Sequence, residues 1–183
     1  MKWIIFILVL SVIVIASCAP TESQIPSQTT SFVKDSGSIE VRFCPEERCD
    51  LIFKEFLSGA EESLHCAFYD FTLTNITEVL NREDMDVKLV IDADNKKKTS
   101  SISAPIVFDS GQGLMHDKFC IIDGKRIFTG SMNPTMNDAM KNDNNMLLID
   151  SKTIANYYES EFQELWAQSR NGGKISSPII LNG

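Results

Sequence analysis

The sequence has little of what a metal centre or a nucleic-acid coating protein needs. Only two of its 183 residues are histidines, His65 and His116, so a metal site rich in imidazole is excluded. The five cysteines form no Cys-x2-Cys pair, which argues against a zinc ribbon. The formal net charge is -8, whereas proteins that coat nucleic acid are usually basic. A polyanionic substrate must therefore meet a local positive site.

Long apolar runs are also missing, except at the N-terminus. Met1-Lys2 precedes an apolar run over 3–16, which is short for a membrane-spanning helix of roughly 20 residues and typical of a secretory signal. The run ends in Ile15-Ala16-Ser17-Cys18, which resembles a lipoprotein signal whose cysteine takes the lipid. We expect a signal peptide over 1–17 and lipidation of Cys18, with an uncleaved anchor helix as the alternative. Both interpretations put the protein at the cell membrane, facing outside the cytoplasm.

Composition divides the remaining chain into three parts. Residues 18–38 are rich in Ser, Thr, Gln and Pro, which predicts a flexible tether to the membrane. Residues 39–170 have the size and the apolar periodicity of one folded domain. Residues 171–183 begin with Asn171-Gly172-Gly173, which predicts a helix end followed by a flexible tail.

Periodicity within 39–170 predicts strands that alternate with helices. The predicted strands cover 39–43, 64–68, 87–91, 118–122, 126–129 and 146–149, and the predicted helices cover 50–60, 74–81 and 151–168. Ser151 is the expected cap of the last helix, and Asp123-Gly124 predicts a hairpin turn. Residues 95–103 are polar and basic and predict a loop. This order of elements predicts an α/β domain with a mixed β-sheet flanked by helices.

The stretch from 114 to 133 concentrates the residues that can perform chemistry. Alternation along a strand puts His116 and Lys118 on one face, so an imidazole and an ammonium emerge side by side. Ser131 and Asn133 follow the partner strand of the hairpin. We expect their hydroxyl, amide and backbone N–H groups to reach the same point. A nucleophile, a cation and neutral donors together suit a tetrahedral or pentacoordinate phosphate.

The pattern His-x-Lys-x4-Asp-x6-Gly-Ser-x-Asn, from His116 to Asn133, resembles the HKD motif of the phospholipase D superfamily at every fixed position and spacing. The similarity extends over about 41–166. Segments 43–45, 63–68 and 161–166 look like the small members with one motif per chain, which are secreted bacterial endonucleases and mitochondrial cardiolipin hydrolase-like nucleases. The resemblance implies a phospholipase D-like fold.

The resemblance also implies a role for each motif residue. His116 would attack phosphorus to form a phosphohistidine, and a second His from another motif copy would protonate the leaving oxygen and later activate water. Lys118 and Asn133 would bind the phosphate oxygens with help from Ser131, and Asp123 would be structural. The family needs no metal and no other cofactor. Because this chain has one motif, we expect a homodimer with a shared active site.

The sequence departs from the small nucleases at one position. Those proteins commonly have Asn-x-Glu-Asn after the motif, and the Glu orients the nucleophilic His. This chain has Asn142-Asp143-Asn144-Asn145 instead. The Asn144 amide can accept a hydrogen bond, but it stabilises an imidazolium less than a carboxylate does. Asp143 is the alternative if the register differs.

Two groups outside the motif allow more than one interpretation. Lys96, Lys97 and Lys98 form either a solvated charge run or a basic segment that binds and guides a polyanion to the site. Cys44 and Cys49 would lie outside the cell, where disulfides persist, and a bridge between them is one interpretation.

Two further interpretations concern the remaining His and Cys residues. A zinc site formed by Cys44, Cys49, His65 or Cys66 is the less favoured alternative to a disulfide. His65 is otherwise interpreted as structural, and Cys66 and Cys120 as small buried residues.

The substrate class stays open between nucleic acid and phospholipid. An endonuclease that prefers single strands is the first hypothesis, because a narrow positive groove admits a flexible strand more readily than a stiff duplex. Phospholipase D-type hydrolysis of membrane phospholipids is the alternative, and the membrane tether suits it. A binding module without catalysis is disfavoured by the intact motif.

We predict that Cys18→Ala removes any fatty-acid label from the protein and releases it from the detergent-soluble membrane fraction. Metabolic labelling of the wild type and the variant measures this directly. Label that persists on the variant would contradict lipidation at Cys18.

Overall fold

A computed structural model describes residues 32–169 and 178–182. The strands are β1 (Val33–Ser36), β2 (Ser38–Cys44), β3 (Ser63–Phe68), β4 (Asp86–Asp92), β5 (Ile106–Asp109), β6 (Lys118–Ile122), β7 (Arg126–Gly130), β8 (Asn144–Asp150) and β9 (Ile179–Asn182). The helices are α1 (Cys49–Ser58), α2 (Thr77–Leu80), α3 (Met136–Met140) and α4 (Lys152–Trp166), with 3-10 turns at Thr74–Ile76 and Ala93–Thr99. The predicted signal peptide, Cys18 and the predicted helix stop at 171–173 lie outside the described residues.

Seven strands form one sheet in the order β2-β8-β7-β6-β3-β4-β5. β3, β4 and β5 run parallel, because the chain crosses the sheet through helical segments between them. The other neighbours pair antiparallel. The predicted mixed sheet flanked by helices is confirmed.

The strand that carries the motif lies in the middle of this sheet and is buried on both faces. Cys120 and Ile122 of β6 point to a core that includes Phe53 of α1. Phe119 and Ile121 point to a second core that includes Phe162 of α4. Each fully buried Phe or Ile contributes on the order of 1.5–3 kcal/mol to folding. β6 is therefore a rigid support for the residues at its two ends.

The long helix α4 covers one face of the sheet and starts where the sequence predicts. The Ser151 hydroxyl accepts a hydrogen bond from the Ile154 N–H at 3.1 Å, as an N-cap does. Asp35 of β1 adds a carboxylate that accepts from the Ser151 hydroxyl at 2.5 Å and from the Thr153 N–H at 3.1 Å. These bonds lower the pKa of Asp35. None of the helices in the described part of the chain is both long and apolar enough to cross a bilayer.

The structure corrects the expected ends of the domain. β1 lies in the predicted tether, and β9 lies in the predicted flexible tail. The two strands pair in parallel, with Val33 opposite Ile179 and Ser36 opposite Asn182. These short segments have no periodicity that distinguishes them from coil, so the sequence alone did not indicate them.

Inside the domain the expected loop over 95–103 is also wrong in part. Residues up to Thr99 continue a 3-10 turn, which starts where the Asp92 carboxylate accepts a hydrogen bond from the Asp94 N–H at 3.0 Å. β5 and α3 have four and five residues, too few for a periodic signal, and the sequence analysis missed both.

The apolar face of the first predicted strand is exposed rather than buried. Ile39, Val41 and Phe43 of β2 are 52%, 46% and 60% exposed. β2 is an edge strand of the sheet, and no element in the described ranges covers these three side chains. We call them the β2 apolar row.

Two disulfides settle the questions about cysteine. Cys44 and Cys49 form one bond, which makes the disulfide interpretation right and the zinc alternative wrong. Cys66 and Cys120 are buried as expected, but they are bonded to each other and are not free thiols. They lie opposite each other on the antiparallel strands β3 and β6, a pairing that the sequence spacing of 54 residues could not indicate.

We predict that the long-range bond contributes more stability than the short-range one. Removing a bond that closes a loop of 54 residues should cost about 4 kcal/mol, against about 2 kcal/mol for the five-residue loop, because the longer loop restricts the unfolded chain more. Denaturant unfolding of the variants Cys66→Ala/Cys120→Ala and Cys44→Ala/Cys49→Ala compares the two with the same chemical change. Equal losses would contradict the prediction.

Candidate active site

His116 lies on the exposed loop that enters β6, and three contacts hold that loop. The buried Asp92 carboxylate accepts a hydrogen bond from the N–H of Met115 at 2.8 Å. The Tyr69 N–H donates to the carbonyl of Asp117 at 2.9 Å. The Tyr69 ring packs against the imidazole of His116 with centroids 4.7 Å apart. The backbone on both sides of His116 is therefore tied to the ends of β3 and β4.

Lys118 is the first residue of β6 and is only 8% exposed. Its ammonium donates to the carbonyl of His116 at 2.8 Å and lies 5.5 Å from the centroid of the Tyr69 ring, a cation–π arrangement. Burial lowers the pKa of Lys118, and the nearby carboxylates of Asp117, Asp138 and Asp70 act in the opposite direction. The Lys118 ammonium thus contacts the backbone of His116, and both side chains contact the Tyr69 ring.

Ser131 follows a backbone position that only glycine can occupy. Gly130 has a φ of 139°, and a Cβ there would lie 2.5 Å from the carbonyl oxygen of Asn145. The Ser131 hydroxyl donates to Oδ1 of Asn144 at 2.9 Å and accepts from the Asn145 N–H at 3.0 Å. Ser131 is thereby fixed to the start of β8.

The backbone donors that were expected to face a phosphate are already used. The N–H groups of Ser131 and Met132 donate to the carbonyl of Asn145 at 3.2 and 3.3 Å. The N–H of Asn133 donates to Oδ2 of Asp138 at 2.9 Å. These bonds satisfy the loop internally, so this part of the prediction is wrong. The Lys118 ammonium and the second hydrogen of the Asn133 amide remain for a substrate.

Asn133 is held by a carboxylate that the sequence analysis did not identify. Its Nδ2 donates to Oδ2 of Asp138 at 2.7 Å. Its Oδ1 is buried without a hydrogen-bond partner in the described part of the chain. Asp138 also contributes to the electrostatic environment of Lys118, and this links Asn133 to the Lys118 ammonium.

Asn144 and Asp143 occupy different environments. The amide of Asn144 bridges the Ser131 hydroxyl and the carbonyl of Asp138, donating to the latter at 3.2 Å. Asp143 is exposed and lines a shallow groove with Phe43 and Ser131.

Asp123 lies at the opposite end of β6 from His116. Its carboxylate accepts hydrogen bonds from the N–H groups of Glu61, Glu62 and Ser63 at 2.8 to 3.2 Å. Partial burial acts to raise the pKa of Asp123, but these three bonds lower it overall. Its position ties the hairpin to the start of β3 and keeps it away from the reacting atoms.

The three lysines of the predicted basic segment have separate partners. Lys98 forms an ion pair with Asp70 at 2.7 Å, next to the Tyr69 that contacts His116. Lys96 lies 4.9 Å from the centroid of the Phe108 ring. Lys97 is exposed. The segment therefore starts at the β5 edge of the sheet with Lys96 and ends at Lys98, whose partner Asp70 follows Tyr69.

His65 is on β3, away from His116, and lies between two carboxylates. Its Nδ1 is 3.0 Å from the Glu159 carboxylate and its Nε2 is 3.2 Å from Asp86. Its ring stacks on Phe162 with centroids 4.8 Å apart. Burial acts to lower the pKa of His65, but Glu159 and Asp86 raise it overall. These contacts join β3 to α4 and suit a structural residue.

The groove beside His116 carries negative charge. It has a volume of about 390 Å³ and is lined by Leu114, Met115, His116, Asp117, Glu161, Glu164, Leu165 and Ser169. Burial raises the pKa of Asp117. Burial, and then the charges of Asp117 and Glu164, raise the pKa of Glu161. This wall was not expected for a groove that binds a polyanion.

The site residues that the sequence analysis missed are Tyr69, Asp92 and Asp138. Tyr69 and Asp92 each come directly after a predicted strand. A correct pairing of those two strands would have indicated both residues. Asp138 belongs to α3, which is too short to be predicted.

Comparisons with known proteins match most of the folded domain. A family model described as cardiolipin synthase, PLD-like domain, matches residues 53–166. Mitochondrial cardiolipin hydrolase from Xenopus laevis is 30% identical over 138 residues, which cover 68% of this chain and 66% of that protein. Phospholipase D from Rickettsia typhi is 30% identical over 131 residues, which cover 66% of this chain and 64% of that protein. The chain spans about two thirds of the length of these relatives.

Solved structures show the same fold. The phospholipase D family member Nuc from Salmonella typhimurium superposes with a TM-score of 0.68 at 27% identity, over 74% of this chain and 97% of that one. NucT from Helicobacter pylori shares the fold with a TM-score of 0.61 at 21% identity, over 72% of this chain and 97% of that one. The fold and the motif define a protein of the phospholipase D class. The chain belongs to the phospholipase D superfamily and carries one copy of its motif.

Proposed function

We propose that the protein is a metal-independent phosphodiesterase that acts through a phosphohistidine at His116. One observation carries the proposal: the exposed imidazole of His116 and the buried ammonium of Lys118 both contact the Tyr69 ring at the end of a rigid central strand. The Lys118 ammonium can neutralise the charge that develops on the phosphate oxygens. The imidazole can attack phosphorus from solvent, where a substrate can reach it.

The proposed reaction has two displacements at phosphorus. In the first, a nitrogen lone pair of His116 forms the P–N bond while the P–O bond to the leaving group breaks, and a second imidazolium gives its proton to the leaving oxygen. In the second, that imidazole takes a proton from water, and the water oxygen displaces His116. Lys118 and the amide of Asn133 hold the phosphate oxygens throughout. One chain has one motif histidine, so the acid must come from a second copy.

A homodimer with a shared site supplies this second histidine. The β2 apolar row supports such a dimer, since burying Ile39, Val41 and Phe43 would remove exposed apolar area from water. Phe43 also lines a groove with Ser131, so the row reaches the site. A two-fold axis near paired His116 residues would bury the same surface on both copies.

Nucleic acid is the proposed substrate, with single strands preferred. The likeness to Nuc covers nearly all of that chain, and the basic segment of Lys96, Lys97 and Lys98 ends at Lys98, whose partner Asp70 follows Tyr69. A flexible strand can follow this basic segment and avoid the acidic wall formed by Glu161 and Glu164. A stiff duplex would approach both surfaces at once.

Phospholipid is the second candidate, and one observation favours it. The acidic wall beside His116 suits a phosphodiester whose leaving group carries a positive amine better than it suits a polyanion. The curated relatives named above also bear names of lipid hydrolases. We propose that membrane attachment at Cys18 would hold the enzyme outside the cytoplasm, where it would meet either substrate.

We predict that labelled single-stranded oligonucleotides are cleaved in excess chelator and that His116→Ala reduces the rate at least about 10³-fold, because the attacking group is removed. Cleavage should weaken steeply with salt, since phosphate contacts release counterions. Replacing Lys96, Lys97 and Lys98 by Gln should raise KM more than it lowers kcat. Lys125→Gln is a control, because this exposed lysine lies at the other end of β6.

The same assay with labelled phosphatidylcholine and cardiolipin separates the two substrates. Rapid hydrolysis of either lipid with the oligonucleotides intact would overturn the nucleic-acid proposal. Activity of His116→Ala near that of the wild type would overturn the whole mechanism.

We predict that the folded domain has twice its monomer mass in light scattering and that its specific activity falls on dilution as monomers form. Val41→Glu should shift the mass toward the monomer and reduce activity, because it puts a charge into the β2 apolar row. Leu51→Glu is the matched control, since Leu51 is 50% exposed on α1. A fully active monomer would refute the shared site.

A further inference from the structure

Asp138 is a carboxylate at the centre of the site that no part of the motif specifies. It lies on α3, whose first turn is capped by the hydroxyl of Thr135, which accepts from the Asp138 N–H at 3.1 Å. The cap fixes the backbone of Asp138 relative to the chain that follows Asn133. The carboxylate then turns back toward that chain.

The two oxygens of Asp138 have different partners. Oδ2 accepts from both the N–H and the Nδ2 of Asn133, at 2.9 and 2.7 Å. Oδ1 accepts from Nδ2 of Asn142 at 2.8 Å. The carbonyl of Asp138 accepts from Nδ2 of Asn144 at 3.2 Å. One residue therefore joins Asn133 to the start of β8.

This arrangement fixes which end of the Asn133 amide acts as a donor. A carboxylate accepts hydrogen bonds and repels a carbonyl oxygen, so the Nδ2 end must face Asp138. One hydrogen of Nδ2 is then used, and the second is left to meet a phosphate oxygen. Oδ1 of Asn133 stays buried without a partner among the described residues, which indicates that the contact to Asp138 determines the rotamer.

The charge of Asp138 also acts on the Lys118 ammonium. Burial of Lys118 disfavours its charged form, and the carboxylates of Asp117, Asp138 and Asp70 oppose that effect from three different segments of the chain. Asp70 also pairs with Lys98. The Tyr69 ring and the His116 carbonyl complete the surroundings of the ammonium.

We propose that Asp138 is a positioning residue of this active site, which orients the Asn133 amide for phosphate and supports the charge on Lys118. The small nucleases have a Glu where this chain has Asn144. In this chain a carboxylate comes from Asp138 of α3 instead, and it acts on Asn133 and Lys118. This inference rests on the proposed phosphodiesterase function.

Two substitutions separate the two effects. Asp138→Asn keeps an oxygen that can accept from Asn133 but removes the charge. Asp138→Ala removes both. We expect Asp138→Ala to lower kcat at least about 30-fold, because misplacing one phosphate ligand can cost roughly 10²-fold. We expect a smaller loss, about three- to ten-fold, for Asp138→Asn at neutral pH. Asp84→Asn is the matched control, since it removes one exposed carboxylate from the segment before β4, at the opposite end of that strand from Asp92, and its kcat should stay within about two-fold of the wild type.

The pH profile gives a readout that a purely structural role would not change. kcat/KM should fall at high pH as Lys118 loses its proton, because a neutral amine cannot offset the charge on phosphate. Removing Asp138 destabilises the ammonium, so in Asp138→Asn this fall should begin at lower pH, whereas Asp84→Asn should keep the wild-type profile. Adding Asn144→Glu to Asp138→Asn returns a carboxylate to the site. The fall of kcat/KM, the alkaline limb of the profile, should then move back toward higher pH.

The possible outcomes are distinct. If His116→Ala is inactive while Asp138→Asn keeps both the wild-type kcat and the wild-type alkaline limb, the proposed function stands and the role of Asp138 is refuted. If His116→Ala is active, the proposed function fails first. Circular dichroism reports whether Asp138→Ala folds, and Asp138→Asn decides the question if it does not.

Discussion

A charged side chain at the end of a strand that is buried on both faces is the constraint on which this site depends. Lys118 begins β6, and all the following residues of β6 are buried in the two cores. An ammonium in such a place costs free energy unless charges and hydrogen bonds compensate for lost water. The His116 carbonyl, the Tyr69 ring and three carboxylates provide that compensation. Two of these groups, the His116 carbonyl and the Tyr69 ring, also hold His116 itself.

This constraint explains why the site is built from so many elements. The loop before β6 is tied to β4 through Asp92 and to β3 through Tyr69. On the other side, Gly130 allows the chain to approach Asn145 closely, and Asp138 fixes Asn133. The sheet order brings β3, β6, β7 and β8 next to one another, so residues distant in sequence meet at one edge. Rigid strands hold the residues that bind charge, while His116 stays exposed to a substrate.

The acidic residues of the protein lie on both sides of this arrangement. Carboxylates stabilise the Lys118 ammonium from within, and Asp117, Glu161 and Glu164 line the groove outside. A substrate phosphate is attracted by one ammonium and meets negative charge on one flank. Lys98 of the basic segment pairs with Asp70, which follows Tyr69. The electrostatic field at the site therefore favours a particular direction of approach for a substrate phosphate. This preference depends on where the charges lie and not on the net charge of the protein.

Much of the fold and the centre of the site could be predicted from the sequence, for identifiable reasons. The strands that are buried, the α4 helix with its Ser151 cap, and the Asp123-Gly124 turn all follow from local patterns, and the motif spacing put His116 beside Lys118. The disulfide between Cys66 and Cys120 depends on strand pairing, which local patterns do not encode. The same is true of the β1–β9 pair. Asp138 was missed because a five-residue helix has no period, and the exposure of Phe43 depends on β2 being an edge strand.

Trapping the covalent intermediate tests the central claim most directly. Acid-free quenching of the enzyme during turnover of a phosphorus-labelled diester, followed by proteolysis and mass spectrometry, would locate any phosphoryl adduct. The account predicts a phosphoramidate on the peptide that contains His116, absent from His116→Ala and lost on standing with water. Turnover without any adduct on His116, or an adduct on a different residue, would contradict it.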